Sequence, residues 1–334
     1  MFNFHKDHRS LAFAAFIVFA GLSMLIAVLP AYQMQKTSPL PGMKEMTEAQ
    51  KKGLSVYVSE NCMACHTQQV RNIEMDNVWG ERPSVASDYY YTKMRPDIWR
   101  QSPSLLGSER TGPDLSNVGR RQPGREWHLL HLYNPRIVVQ GSVMPAYPWL
   151  FTEKDPSQLG PDDIVVPVPE KYLKHKDRKV VATQEVMDLV AYLQALKQVD
   201  LPGTEGPGFI PSSRVKEPSG EKGAAALPDG EALYMQTCAA CHQADGKGVP
   251  GAFPPLAGSP VVNDENYETF IRIILLGYDA RAEYGVMPGF AGQLADEEIA
   301  AIVNHERSSW GNKAAPISPE DVKRIRDYAM QLNP

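Results

Sequence analysis

The sequence predicts a mainly α-helical protein: one N-terminal transmembrane helix followed by two small helical domains. Three observations predict it. Residues Leu11 to Leu29 carry no charge; all four cysteines fall in two copies of a C-x-x-C-H pattern, Cys62 to His66 and Cys238 to His242; and each copy is followed by a segment with apolar residues at three- to four-residue spacing. A chain of 334 residues, 43% apolar and 22% charged, is long enough for two domains with their own cores, which excludes a disordered chain and a polytopic membrane protein. From Asp229 onward there are eight lysines and arginines against fifteen aspartates and glutamates. That acidic C-terminal half argues against nucleic acid and suits a basic protein partner.

Residues 1–32 form the anchor. The run LAFAAFIVFAGLSMLIAVL is about as long as a helix needs to be to cross the hydrocarbon core. Lys6 and Arg9 precede it and the first charge after it is Lys36, so the positive-inside rule leaves the N-terminus in the cytoplasm and everything from about Tyr32 outside. In a bacterium that is a single-pass inner-membrane protein with periplasmic domains. The competing reading, a cleaved signal peptide, meets an apolar run too long for an h-region and no clear small-x-small site after it.

Residues 33–46, QMQKTSPLPGMKEM, read as a tether. The first domain, 47–200, opens on TEAQ, where the Thr47 hydroxyl and the Gln50 side chain form a capping-box pattern for a helix leading to the first cysteine motif. It closes on TQEVMDLVAYLQALKQV, where Val186, Leu189, Val190, Leu193 and Leu196 share a face. Between them, PSQLGPDDIVVPVPEKYLKHKDRK has too many prolines and lysines for a core element and reads as an exposed excursion. Residues 201–228 are rich in Pro, Gly, Ser and Ala without periodicity and read as a linker. The second domain, 229–334, repeats the plan: a helix into CAACH, a Gly/Pro-rich loop, then DEEIAAIVNHERSSW with Ile299, Ile302 and Val303 at helical spacing.

On a helix Cys62 and Cys65 share a face and His66 follows directly, so the motif can bond a planar cofactor twice while presenting an imidazole to its centre. This is the pattern of covalent haem c attachment, with the histidine as proximal iron ligand; Cys238, Cys241 and His242 repeat it, which gives two haems. Three other readings explain less. A C-x-x-C disulfide has no use for the following histidine. A thioredoxin-like dithiol would want an α/β pattern around it. A zinc site would have to bring two distant pairs onto one metal and leave the histidines over.

For the sixth ligand, Met144 in GSVMPAYPW and Met287 in YGVMPGF share a V-M-P context and each lies between its haem motif and its closing helix. Met75, Met94, Met187, Met235 and Met330 read as gap-filling core. His128 and His131 in EWHLLHLYNP are competing axial ligands, read instead as surface or hydrogen-bonding residues. His175 and His305 read as exposed or packing residues, and Tyr89, Tyr90 and Tyr91 as packing or a membrane-partner patch.

The anchor followed in order by ENCMACHTQQVRN, GSERTGPDLSNVGRR, EWHLLHLYNPR and SVMPAYPWLF resembles the membrane-anchored monohaem subunit of cbb3-type cytochrome c oxidases, over the chain to about residue 200. The resemblance implies a haem held by Cys62, Cys65, His66 and Met144, with the Pro113 carbonyl accepting from His66. The second domain resembles a class I cytochrome c; by that likeness Cys238, Cys241, His242 and Met287 hold a second haem, with Pro255 in the proximal role. The implied function is a dihaem electron-transfer subunit without chemistry of its own, passing electrons from a soluble donor such as a small cytochrome c, docked on the acidic domain, to a haem-copper catalytic subunit in the membrane. The extra domain departs from the monohaem family. It leaves open a nitric oxide reductase subunit, the cytochrome subunit of a periplasmic dehydrogenase, and a dihaem peroxidase.

Overall fold

The computed structural model describes residues 7–34, 36, 38–93, 105–203, 208–211, 227–281 and 283–332; Lys6, Met94 and most of the expected linker lie outside them. The N-terminal helix α1 (His8–Gln33) is the one helix among the described residues that is long and apolar enough to cross a membrane. Asp7 caps it, accepting from the amides of Arg9 and Ser10. Phe13, Phe16, Ile17, Phe19, Leu25 and Ile26 are all exposed, as expected of side chains that face lipid rather than a protein core.

The chain falls into two compact units interleaved along the sequence. One takes in Met1–Thr47, Tyr57–Asn117 and Lys197–Ser213; the other Glu48–Val56, Val118–Leu196 and Arg214–Pro334. In the first, Asp76 and Asp114 organise the loops after the first cysteine motif, and the Ile210 carbonyl accepts from the Glu74 amide at 3.0 Å.

The second unit holds most of the helices. Helix α2 (Glu48–Ser59) starts one residue after Thr47 and crosses α4 (Gln184–Ala195) at Gly53, where a Cβ would stand 1.9 Å from the Asp188 carbonyl oxygen. Thr183 caps α4 through its hydroxyl, and Val186, Leu189, Val190 and Leu193 are buried as their spacing predicts; Leu196 lies just past the helix end. Helix α3 (Arg125–Tyr133) buries Leu129, Leu130 and Leu132.

The segment expected as an exposed excursion is largely exposed, but it also contributes β2 to a small sheet built with its flanking residues. Strands β1 (Phe151–Lys154), β2 (Val165–Val166) and β3 (Lys179–Ala182) form an antiparallel sheet in the order β1-β3-β2, with Phe151 opposite Ala182 and Val166 opposite Val180. Val166, Val180 and Val181 are buried. The lysines and prolines mislead because they sit at the strand ends: Pro167 directly follows β2, where no ladder N–H is required.

Helix α5 (Gly230–Thr237), capped by Asp229, crosses α7 (Asp296–Ser308) at Gly230, where a Cβ would lie 2.1 Å from the Ala301 carbonyl oxygen. The glycine crossing of α2 on α4 is thus repeated, each time eight or nine residues before a cysteine motif. Ile299, Ile302 and Val303 of α7 are buried as expected. Two further helices, α6 (Glu268–Leu276) and α8 (Pro319–Leu332), pack Phe270, Ile271, Ile274, Leu275, Val322 and Ile325 into the same core. Each fully buried aliphatic side chain there contributes roughly 1.5–3 kcal/mol.

Candidate functional site

At the first motif the chain turns through left-handed Asn61 into a 3₁₀ turn, Cys62–Ala64, rather than continuing α2. The amides of Cys65 and His66 both bond to the Cys62 carbonyl, which gathers the two thiols and the imidazole at one place. The His66 Nδ1 lies 2.8 Å from the Pro113 carbonyl oxygen. A carbonyl only accepts, so Nδ1 carries the proton and donates, leaving the Nε2 lone pair free for a metal. Gly112 is required beside it: a Cβ there would meet His66 Cε1 at 2.3 Å. Backbone bonds from Gly112 to Cys65 and from Leu115 to Thr67 lay the GPDL segment along the motif.

The loop after His66 is tied by two buried carboxylates. Asp114 accepts from the Thr67 hydroxyl at 2.5 Å and the Gln69 amide at 2.7 Å. Asp76 accepts from the Arg71 amide and guanidinium and from Arg110 at 2.6 Å. Burial alone would raise the Asp76 carboxyl, but these donors outweigh it and hold it at about 2.

The second motif is built from α5 and a helical turn, Ala239–His242. His242 is buried, and its Nδ1 donates to the carbonyl of Pro254 at 2.9 Å. The likeness to a class I cytochrome c implies Pro255 in this role; the residue that fills it is Pro254. The register is set by the Gly248 turn, in which Gly248 closes on the Phe253 and Pro254 carbonyls, and by the Leu256 amide, which bonds to Gly246. Trp310 donates to the Ala244 carbonyl and Tyr234 to the Gln243 carbonyl, fixing the loop behind the imidazole. Behind Cys238, burial raises the Glu306 carboxyl to about 8.

No two of the four cysteines are joined by a disulfide. Burial pushes Cys62 and Cys241 up to about 12, and Cys238 well above its usual value, the reverse of what a disulfide-exchanging dithiol needs. Among the described residues no group of three or more His, Cys, Asp or Glu could hold a bare metal ion. The donor set at each motif, two thiols and one oriented imidazole with Nε2 open, suits a macrocycle bonded at its edge and ligated at its centre.

Met144 is half-buried in a loop held by the Arg136 guanidinium, which donates to the Met144 carbonyl at 3.0 Å, and by the Met144 amide on the Ser142 hydroxyl. Met287 opens β5 (Met287–Pro288), which pairs with β4 (Gly277–Tyr278) and packs Met287 against the C-terminal core. His128 is buried, not on a surface, and bonds through Nε2 to the Gln122 carbonyl at 2.7 Å; burial lowers it to about 4. His131 stacks on Trp127 with centroids 4.5 Å apart. His175 pairs with Glu153 at the surface, and His305 packs among Tyr234 and Trp310. Met75, Met235 and Met330 are exposed rather than gap-filling, because they fall on the outward faces of their segments. Tyr90 and Tyr91 meet edge-on at 5.0 Å, half-buried with Tyr89.

A model of the family described as "Cytochrome C oxidase, mono-heme subunit/FixO" matches residues 3–166, and one of "Cytochrome C oxidase, cbb3-type, subunit III" matches residues 225–305. The chain is a cytochrome c whose N-terminal part matches the FixO family. It is also similar to cytochrome c-552 of Thermus thermophilus, 42% identical over 125 residues, 33% of this chain and 82% of that protein. The cytochrome c subunit of a quinone alcohol dehydrogenase from Gluconacetobacter polyoxogenes is 37% identical over 145 residues, 42% of this chain and 30% of that one. The fructose dehydrogenase cytochrome subunit of Gluconobacter japonicus is 39% identical over 112 residues, 31% of this chain and 23% of that one. This cytochrome c thus carries haem c and transfers electrons, and its second cytochrome region is matched by a separate family model.

The motifs do not spell out the roles of several site residues. Gly112 and Pro254 act through backbone geometry, and Asp76, Asp114 and Arg110 converge from separate loops.

Proposed function

We propose that this chain is the dihaem electron-transfer subunit of a cbb3-type haem-copper oxidase. The family match running from the N-terminal helix through the first cytochrome region carries this reading, since it joins the anchor and the motif in one oxidase subunit. In it, residues 47–200 and 229–334 are two cytochrome modules, each with one haem c. Haem c supplies the reversible one-electron couple of its iron; the protein's share is to hold, orient and seal it.

Cys62, Cys65 and His66 would hold one haem c, with the imidazole oriented by the Pro113 carbonyl; Cys238, Cys241 and His242, oriented by the Pro254 carbonyl, would hold the other. Met144 and Met287 would complete the two sites and keep outside ligands from them. Orientation is periplasmic, with α1 beside the catalytic subunit. A basic soluble donor docks on the acidic C-terminal module, where charge complementarity speeds encounter and salt slows it.

The dehydrogenase cytochrome relatives support a second reading, a dehydrogenase subunit. Mass spectrometry of the complex solubilised gently from native membranes separates the two. A polytopic haem-copper subunit travelling with this chain is expected; a dehydrogenase subunit in its place refutes the oxidase assignment. Carbon monoxide is expected not to bind the ferrous protein, and binding would point to an open iron and a peroxidase.

A further inference from the structure

We propose that α3 is an intramolecular docking surface for the second C-x-x-C-H module, with Trp127 as its anchor. The Trp127 indole N–H donates to the carbonyl of Ala240, inside CAACH, at 3.2 Å. The indole has little freedom to turn elsewhere. His131 stacks on it, 12° from parallel, and His128 meets it edge-on at 5.3 Å, itself held by the Gln122 carbonyl. One turn of α3 thus carries a rigid aromatic face aimed at the cysteine motif.

A second contact reaches the methionine loop. A Cβ on Gly285 would stand 3.1 Å from Glu126 Cγ and 3.2 Å from its Cβ, so glycine lets this loop close onto α3 two residues before Met287. Gly124, at the start of α3, lies 3.9 Å from the Val286 carbonyl oxygen measured the same way. These residues all belong to one compact unit, so α3 and the module are packed together in it. α3 touches the two segments that carry the second motif's thiols and its methionine, and the occupant of this face is residues 238–242 and 285–287 of the same chain. The inference does not depend on the identity of the terminal acceptor. It also means that an outside donor meets the module on a face other than this one.

The test is the full-length, haem-loaded chain carrying Glu126→Cys with Gly285→Cys. The 3.2 Å separation needs only a few tenths of an ångström to reach the Cβ spacing of a disulfide, about 3.5–4.5 Å. Expected is a disulfide-linked tryptic peptide pair containing residues 126 and 285 in most chains after mild oxidation, and none in either single variant. Full haem absorbance without the linked pair overturns the proposal. Where the cysteine pair lowers haem loading, Trp127→Phe gives a second reading, since it keeps a ring and removes the N–H. Amide exchange at residues 239–243 is then expected to quicken about tenfold, with α7 unchanged. Unchanged exchange at 239–243 overturns the proposal.

Discussion

The crossing of α5 on α7 gives a sharp quantitative test. In Gly230→Ala the new methyl would stand 2.1 Å from the Ala301 carbonyl oxygen and 2.8 Å from its carbon, against an ordinary contact of 3.4 Å or more. The obstacle is helix backbone, so the helices must part by more than an ångström. α7 has no room to retreat: Ile299, Ile302 and Val303 on it are at most 1% exposed. Overpacking of this kind costs about 1–3 kcal/mol, here at the upper end. Alanine returns up to about 1 kcal/mol through helix propensity, less at a first helical position, leaving a net loss of about 2 kcal/mol. For a module of about a hundred residues that is a fall in melting temperature of about 10 °C. The assay is thermal unfolding of the solubilised protein followed by circular dichroism. Gly53→Ala, with its methyl 1.9 Å from the Asp188 carbonyl, is expected to lower stability comparably, and Gly292→Ala, with nothing within 4 Å, to change little. A Gly230→Ala melting point within about 2 °C of the parent would refute the close crossing.

Three further outcomes are expected. Asp76→Asn removes the charge that holds Arg71 and Arg110, at a cost of about 2 kcal/mol by denaturant titration. Because the folded carboxyl sits below its usual value, that stabilisation is whole above the ordinary carboxylate range and is lost as pH falls from about 4 towards 2; the variant's acid-unfolding curve should lack this arm. His128 is buried neutral with its folded value at about 4, so the unfolded chain takes up its proton first, and stability is full above about 6.5 and falls by about 3 kcal/mol on the way down to pH 4; His128→Gln, which can still donate to Gln122, is expected to flatten that slope in pH-dependent melting. In a pyridine haemochrome assay, Cys238→Ala with Cys241→Ala is expected to reduce two haems per chain to one, and an unchanged count would remove the second site.

The sequence by itself determined where the paired thiols and their imidazoles stand and which helices flank them. Thiols and imidazole must come from neighbouring positions to serve one macrocycle, so C-x-x-C-H is written contiguously at Cys62 and Cys238, and the burial of Val186, Leu189 and Val190 follows from a period any reader can count. The small sheet was missed because its strands are short, its valines stand in adjacent pairs (Val165–Val166 and Val180–Val181) rather than in alternation, and proline and lysine flank them. Tertiary structure alone decided which carbonyl orients each histidine, Pro113 as the resemblance implied but Pro254 rather than Pro255, since that choice depends on how a loop folds back. It alone brought Asp76 to Arg110, and Trp127 to Ala240 across more than a hundred residues. Contacts of that kind have no period and no fixed spacing; they exist only once the chain has closed, when an unpaired buried carboxylate or an ill-fitting methyl carries its full cost.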